Sequence, residues 1–206
     1  MTYLDILGDI DHWFDKGVAQ AGAGVVLCAR GCSACCNGPF DISAADAQLV
    51  AAAVDRLDAT TRSEVAARSA SQVEMYARIL PAWEHPWDVE EIDDGEFDTL
   101  ADALAGVPCP AVSANGSCLI YDDRPATCRM TGLAMRTPQQ DVLENVCPIL
   151  RTSDAFARLE PTEFDLSAFE DQADEHDRSA MAAGWSRTTV AGAVQRRGAA
   201  PPRGDR

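Results

Sequence analysis

The hydrophobic positions of the chain recur mainly at intervals of three and four residues, which is the period of an amphipathic helix. The first run places six side chains on one face: Tyr3, Ile6, Leu7, Ile10, Trp13 and Phe14. It predicts a helix over residues 2–16 that ends at Gly17. A second helix is predicted to begin after Ser43, because Asp46 follows three residues later in the manner of a helix start.

Two further helices follow from the same periodicity. The third is predicted to be capped by Thr60 or Thr61 and to end at Pro81, because proline cannot donate the backbone hydrogen bond that a helix interior requires. Residues 167–184 predict a final, acidic helix. The acidic residues between 84 and 98 show no apolar face, so this segment is expected to be a solvated loop or a short lead-in to a helix.

Turn signals separate short apolar runs between residues 109 and 129, and they predict a small hairpin that carries Cys109 and Cys118. No alternation of strands with helices is visible, which argues against a parallel α/β fold. The expected fold is mainly α: a small helical domain with a short β-hairpin around a cysteine-ligated metal centre. We expect this domain to span residues 1–185, followed by a disordered tail rich in Arg, Pro and Gly over residues 186–206.

The charge of the chain excludes some partners. Its 206 residues carry a formal net charge of -16, with 33 acidic residues against 17 basic ones. An acidic surface repels the phosphates of nucleic acids and anionic lipids, so neither nucleic acid nor membrane is an expected partner. The N-terminal segment does not resemble a signal peptide, and no apolar stretch approaches the roughly 18 residues of a membrane span. We therefore expect a cytoplasmic protein with reduced thiols.

Eight cysteines narrow the function further. Four form a C-x3-C-x2-C-C block and four lie downstream: Cys28, Cys32, Cys35, Cys36, Cys109, Cys118, Cys128 and Cys147. Thiolates are the ligands of structural zinc and of iron–sulfur clusters, and spacings of two or three residues let sulfurs converge on one centre. Adjacent cysteines seldom pair with each other, so the block favours a metal site over disulfides. All eight are predicted metal ligands.

The sequence does not determine how many metal centres the cysteines form. Four thiolates per ion would give two zinc sites, whereas one iron–sulfur cluster would use four cysteines and leave four for other purposes. The spacing of Cys28, Cys32 and Cys35 also matches the cluster motif of radical S-adenosylmethionine enzymes. That reading is disfavoured because Ala34 stands where the motif has an aromatic residue, and because the expected strand–helix alternation is missing.

Longer strings around the cysteines resemble a known family. They are R-G-C-S-A-C-C from Arg30, C-P from Cys109, C-L-I-Y-D-D-R-P-A-T-C-R from Cys118, and C-P from Cys147. Together they resemble the YkgJ-like cysteine-cluster family, a zinc- or iron-chelating domain whose members include flagellin lysine N-methylase. The resemblance covers about residues 28–148. It implies that the cysteines bind zinc or iron, the latter including a 4Fe–4S cluster.

Two arginines flank Cys128 in the longest string. A zinc ion or an oxidised 4Fe–4S cluster with four thiolates carries a net charge of about −2, which requires nearby cations or N–H donors in an interior. We expect Arg124 and Arg129 to lie next to the metal-binding thiols, without binding the metal themselves, and to stabilise the negative charge of the thiolates. The alternative is an ion pair at the surface between Arg124 and Asp122 or Asp123.

Three hypotheses of function follow from these features. The leading hypothesis is a metal-binding protein that holds zinc or an iron–sulfur cluster through the cysteine block and the four downstream cysteines. The alternative is an iron–sulfur-dependent enzyme, either similar to a protein N-methyltransferase or redox-active, with no catalytic residue assigned. The third is an interaction module in which the metal is a structural staple and an unidentified protein is the partner.

Overall fold

The computed structural model describes residues 1–144 and 147–196, and helices dominate these ranges. The helices are α1 Tyr3–Ala21, α2 Ala44–Asp55, α3 Ala59–Ile79, α4 Asp94–Ala103, α5 Ala126–Met130, α6 Leu166–Ala182 and α7 Val190–Arg196. The strands are short: β1 Asp41–Ile42, β2 Ala134–Arg136, β3 Val142–Glu144, β4 Thr162–Glu163 and β5 Thr188–Thr189. The prediction of a mainly α fold with a small β component is confirmed.

The first helix extends beyond its predicted end. It begins at a capping box, in which Thr2 and Asp5 satisfy each other's backbone N–H groups, and it continues through Gly17 to Ala21. Gly17 is not a stop because it is a close-packing position: a Cβ atom there would lie 2.5 Å from Leu133 Cδ1 and 2.7 Å from Thr162 Oγ1. The helix ends instead at Gly22, whose φ of 84° suits glycine.

The second and third helices begin at side-chain caps. Ser43 caps α2 by accepting a hydrogen bond from the N–H of Asp46, as the sequence predicted. The cap of α3 is Asp58, which accepts from the N–H groups of Thr60 and Thr61. The prediction that a threonine caps α3 is therefore wrong, because the carboxylate two residues earlier is the acceptor.

The acidic segment is partly helical. Its last part forms the beginning of α4, where Asp93 and Glu96 make a second capping box. Acidic side chains in a first turn also interact favourably with the helix dipole. This outcome agrees with the lead-in that the sequence allowed. None of the described helices combines the length and the apolar character that a bilayer crossing requires.

Short strands tie distant parts of the chain together. β1 pairs antiparallel with β5, with Asp41 opposite Thr189. A second sheet has the order β3-β2-β4, in which β2 runs antiparallel to β3 and parallel to β4. The predicted hairpin after Cys109 is present in a minimal form, as a single antiparallel bridge between Val112 and Cys118.

The prediction of a disordered tail is wrong for part of the tail's length. The strand β5 and the helix α7 occupy Thr188–Arg196, and Val190, Ala191 and Val194 of this helix are buried. These residues are held because α7 packs against α2 and α3 and β5 pairs with β1. The remainder of the predicted tail, residues 197–206, lies outside the described residues.

Two buried cores flank the cysteine segments. The first core joins α1 to the β2 region and to α6 through Ile6, Leu7, Ile10, Trp13, Val26, Leu133, Met135, Cys147, Leu150, Phe156 and Phe169. The second core joins α2, α3 and α7 through Ile42, Ala47, Val50, Ala53, Val54, Val65, Ala111, Ile120, Val190, Ala193 and Val194. Cys28 packs against the first core, whereas Cys109 and Cys118 pack against the second.

Two glycines of α1 provide a test of this packing. Gly17→Ala should lower the free energy of unfolding by about 1–2 kcal/mol, because the clash with Leu133 and Thr162 exceeds the gain in helix propensity. Gly8→Ala should raise it by about 0.5–1 kcal/mol, because no atom lies within 4 Å of the added methyl group. Urea denaturation of both variants measures the difference. Equal shifts of the same sign would contradict this account of Gly17.

Candidate metal centre

The first four cysteines lie on a loop built from consecutive turns. The N–H of Cys32 donates to the carbonyl of Ala29 at 2.9 Å, and the N–H of Cys36 donates to the carbonyl of Ser33 at 3.0 Å. These turns fold the block back on itself, so that Cys28, Cys32, Cys35 and Cys36 all line one cavity. The short spacings of the block therefore place four thiols on the wall of one cavity.

Backbone hydrogen bonds bring the downstream cysteines to this loop. The N–H of Cys109 donates to the carbonyl of Cys36 at 2.9 Å, next to a bridge between Asn37 and Pro108. The bridge between Val112 and Cys118 then returns the chain toward the same place. Cys128 lies on α5, the short helix that packs against α1.

Seven of the eight cysteines face a common cavity of about 490 Å³. Its sulfur-bearing residues are Cys28, Cys32, Cys35, Cys36, Cys109, Cys118 and Cys128. Cys147 lies behind this set: it is 3% exposed and belongs to the first core, and its thiol is close enough to raise the pKa of Cys28. The structure thus gathers all eight predicted ligands into one region.

Burial and mutual repulsion keep most of these thiols protonated. Burial, together with the neighbouring thiols of Cys147, Cys32 and Cys35, raises the pKa of Cys28 to about 12. Burial likewise raises the pKa of Cys109 to about 12. A bound cation would supply the positive charge that these thiolates lack, and binding would release their protons.

The adjacent pair Cys35 and Cys36 behaves differently. The Cys36 thiol donates a hydrogen bond to the Cys35 sulfur, which lowers the pKa of Cys35 below its ordinary value. The same bond, together with burial, raises the pKa of Cys36. The nearby guanidinium of Arg124 also favours the Cys35 thiolate. Cys35 is therefore the thiol of this pair that ionises first.

Arginine side chains approach the cavity from one side. Arg124 lines it and lowers the pKa of Cys118, against the larger effect of burial. Arg30 acts on Cys118 in the same direction. Both guanidinium groups stack on the ring of Tyr121, with Cζ 4.2 Å from its centroid for Arg30 and 4.3 Å for Arg124. Arg30 was not among the residues predicted for the site, although its position inside the cysteine block was a usable signal.

Arg129 holds the backbone that carries Arg124. It is 5% exposed, and it donates from Nε to the carbonyl of Arg124 at 2.9 Å and from Nη2 to the carbonyl of Asp122 at 2.6 Å. Its Nη1 pairs with Asp11 of α1. The structure therefore places Arg124 beside the thiols, whereas Arg129 is directed to the backbone and to Asp11. Asp11 was also missed, because nothing in the pattern of α1 marks it.

The surface ion pair considered for Arg124 does not form with the neighbouring acidic residues. Asp122 pairs with Arg30, and Asp123 pairs with Arg56 at 2.8 Å. Arg124 instead contacts Asp11 at 3.4 Å. The two acidic residues after Tyr121 thus anchor other segments to the cavity, and Arg124 stays directed toward the thiols.

A buried carboxylate supports α5. Asp46 of α2 is 2% exposed and accepts hydrogen bonds from the Tyr3 hydroxyl at 3.0 Å and from the N–H of Ala126 at 3.2 Å. Ala126 is the first residue of α5, two positions before Cys128. Burial raises the pKa of Asp46 to about 6, although these hydrogen bonds oppose the shift. The sequence marked Asp46 only as part of a helix start.

The donor chemistry fits a metal that prefers sulfur. All eight cysteines are free thiols. Within residues 1–144 and 147–196, no three Cys, His, Asp or Glu side chains already surround a single point closely enough to enclose an ion. The Nε of Arg124 is buried without a hydrogen-bond partner, so its N–H group is available to an anionic acceptor beside the thiols. Metal-bound thiolates are acceptors of this kind.

The histidines lie away from this cavity. His12 and His85 are exposed, and His85 packs edge-on against Trp87 at 5.1 Å between ring centroids. His176 stacks on Tyr3 at 5.5 Å. None of the three belongs to the cavity lining.

Residues 27–148 match the family model CxxCxxCC, described as "Putative zinc- or iron-chelating domain". This segment is more than half of the chain. The chain belongs to this family of zinc- or iron-chelating domains. The resemblance seen in the sequence is thereby confirmed, and the family supports binding of zinc or iron.

No curated protein and no solved structure matches this chain. The family and the arrangement of the residues are therefore the basis for assigning its function.

The buried carboxylate of Asp46 makes stability depend on pH. The unfolded chain releases this proton near pH 4, whereas the folded protein keeps it to about pH 6. Folding therefore takes up a proton between these values, and this residue's contribution to stability falls as pH rises through that window.

Asp46→Asn removes this titration. The free energy of unfolding of the variant, relative to the unmodified protein in the same metal state, should improve by about 2 kcal/mol between pH 4 and pH 7.5. Denaturation of both proteins across this range measures the difference. A difference that stays constant with pH would show that Asp46 does not titrate in this window.

Proposed function

We propose that the protein is a metal-binding protein that holds zinc or an iron–sulfur cluster through its eight cysteines. The observation that carries the proposal is that seven thiols line one cavity, and the eighth, Cys147, packs in the core against which Cys28 lies. Soft thiolate donors select zinc and iron–sulfur clusters over hard cations. The free thiols suit a reducing compartment, and the cytoplasm remains part of the proposal.

The residues around the thiols fit this role. When bound, the metal would supply positive charge to the crowded thiolates. Arg124 and Arg30 would balance the negative charge that remains on the ligands, and the unpartnered Nε of Arg124 would donate to a metal-bound sulfur. Arg129 would keep the turn of Arg124 in place.

Purification without oxygen distinguishes the two metals. A brown protein that absorbs broadly near 400 nm and contains iron and acid-labile sulfide would hold an iron–sulfur cluster. A colourless protein with stoichiometric zinc would hold the metal in tetrahedral thiolate sites. A protein that contains neither metal, and that takes up neither on reconstitution of the reduced chain, would refute the proposal.

Single substitutions test the ligands. Cys32→Ser and Cys128→Ser should each reduce the bound metal measured by elemental analysis, because each removes one thiolate from a four-ligand site. His85→Ala should leave the metal content unchanged, because His85 is exposed and lies off the cavity lining. Equal metal content in all three variants would contradict the assignment of these cysteines.

An iron–sulfur-dependent enzyme is the second candidate. A cavity of about 490 Å³ is within the range of small-molecule sites, and its lining includes the apolar side chains of Phe14, Val18 and Phe40 beside the charged Arg124. The family resemblance adds a branch with protein N-methylase activity. The catalytic groups of such an enzyme remain unassigned.

Two measurements test the enzyme candidate on the metal-loaded protein. Titration calorimetry with S-adenosylmethionine should show saturable binding if the cavity accepts a methyl donor. Spectroelectrochemistry should show a reversible one-electron couple if the centre is redox-active. A colourless zinc protein with neither property would keep the proposal of metal binding and reject the enzyme candidate.

A further inference from the structure

Residues 27–35, called the strap below, run along the thiol cavity between two anchored ends. Val26, which precedes the strap, is buried in the first core. Cys36, which follows it, accepts a hydrogen bond at its carbonyl from the N–H of Cys109 at 2.9 Å. The strap contributes four residues to the cavity lining: Cys28, Ala29, Cys32 and Cys35. Three candidate ligands therefore lie on a length of chain that is held at both ends.

The backbone of the strap is weakly attached between these ends. Among the described residues, no backbone hydrogen bond joins residues 27–35 to another segment, since the N–H of Cys32 donates to Ala29 and the carbonyl of Ser33 accepts from Cys36. Much of the strap is exposed: Leu27, Ala29, Arg30, Gly31 and Cys32. Segments with few backbone bonds and few buried contacts open at a low free-energy cost.

One side chain fastens the middle of the strap to the segment that follows Cys118. Arg30 forms an ion pair with Asp122, and its guanidinium lies over the ring of Tyr121, with Cζ 4.2 Å from the ring centroid. Tyr121 and Asp122 also line the cavity. Arg124 lies over the same ring, with Cζ 4.3 Å from its centroid. Arg30 thus joins the strap to a turn that has contacts of its own.

Two glycines leave room for the strap. A Cβ atom at Gly132 would lie 2.9 Å from the Cys28 sulfur, and a Cβ atom at Gly116 would lie 3.2 Å from the Ser33 hydroxyl oxygen. These positions permit the strap to approach its neighbours closely, and a missing side chain supplies no bond that would hold it there. The polar contact of Arg30 is therefore the one that fastens the strap in our account.

The thiols of the cavity have to move before they can enclose a metal ion. In the part of the chain that the structure describes, no three Cys, His, Asp or Glu side chains surround a single point closely enough. A zinc ion requires its sulfur ligands at about 2.3 Å. Cys109 is bonded through its backbone to Cys36, and Cys128 lies on α5. The strap, which lacks such attachments, is the segment that can adjust most easily.

We propose that the strap is a gate over the thiol cavity, that the contact of Arg30 with Tyr121 and Asp122 holds it closed, and that its opening admits and releases the metal. The inference rests on the proposed metal-binding function and extends it by naming the segment that controls access to the site. Opening breaks one ion pair and one cation–π contact, and it leaves the helices and the two cores intact.

Alkylation of the cavity thiols measures the opening. The reduced full-length protein, isolated without oxygen, is treated with iodoacetamide, and mass spectrometry follows the modification of each cysteine. Arg30→Ala should raise the rates at the half-buried Cys109 and Cys128 about fivefold, a factor in keeping with the loss of an exposed ion pair and an exposed cation–π contact. Cys32 is already exposed, so its rate should change little.

The lost charge of Arg30 cannot itself produce this increase. Removing a nearby cation raises the pKa of a thiol, and the protonated thiol reacts more slowly than the thiolate. The electrostatic effect of the substitution therefore opposes the expected result. A faster reaction in Arg30→Ala reports greater access to the cavity.

Arg56→Ala is the matched control. The side chain of Arg56 is 58% exposed, against 61% for Arg30, and it pairs at 2.8 Å with Asp123, the neighbour of Asp122. Arg56 lies at the end of α2 and outside the strap, so its loss should leave the alkylation rates unchanged. Asp122→Asn removes the ion pair of Arg30 and keeps the stacking on Tyr121, so it should give a smaller increase than Arg30→Ala.

Salt and a buried cysteine separate opening from unfolding. High salt screens an exposed ion pair, so it should speed alkylation of the unmodified protein more than that of Arg30→Ala. Cys147 is buried in the first core and should stay unreactive in every variant that is folded. If Arg30→Ala exposes Cys147, the comparison of Asp122→Asn with Arg56→Ala decides the question. Unchanged rates in the folded Arg30→Ala variant, or the same increase in Arg56→Ala, would overturn the gate.

Metal release distinguishes the failure of the gate from the failure of the proposed function. Excess pyridylazoresorcinol for zinc, or ferrozine for iron, should extract metal from Arg30→Ala about fivefold faster than from Arg56→Ala, a factor that follows from the same two contacts. A protein that holds neither metal would refute the proposed function, while the alkylation rates would still show whether the strap covers the thiols. Metal-loaded variants with equal release and equal alkylation would keep the proposed function and refute the gate.

Discussion

The hydrogen-bonded contact between the segment 36–38 and the segment 107–109 is the constraint on which the cysteine region depends. Cys109 donates to the carbonyl of Cys36 at 2.9 Å, and Gly38 donates to the carbonyl of Val107 at 2.8 Å. These two bonds join parts of the chain that are about 70 residues apart. The helices between them, α2 to α4, form one long connection that leaves this contact and returns to it. Thiols that are distant in sequence become neighbours because backbone hydrogen bonds make this closure.

Buried polar side chains position the other segments around the cysteines. Arg129 connects α5 to the turn of Arg124 and to Asp11 of α1, and Asp46 connects α2 to the first residue of α5. Buried charges are costly, so each is retained here with several hydrogen-bond partners. The consequence is that α5, which is only five residues long and carries Cys128, is held from two sides. A helix of this length would not persist by propensity alone.

The sequence was sufficient for the fold class, for most helices and for the family, because these depend on local periodicity and on motif spacing. It was not sufficient where tertiary packing decided the outcome. Gly17 resembles a helix stop, but it permits close contact with Leu133 and Thr162. Thr188–Arg196 resembles the start of a tail, yet its small apolar side chains fit between α2 and α3. The importance of Arg30 depends on the proximity of Tyr121, which no spacing in the sequence reveals.

The crowding of thiols connects the site to the stability of the fold. Burial raises the pKa of Cys28, Cys109 and Cys128, so the reduced, metal-free protein keeps them neutral at physiological pH. Metal binding must displace these protons, which makes loading favourable at higher pH and weaker in acid. Bringing the thiols together is unfavourable, and the two cores and the backbone closure supply the free energy for it during folding. A metal that binds the folded protein and not the unfolded chain would therefore add its binding free energy to the stability of the fold, after the thiols that line the cavity move close enough together to enclose it.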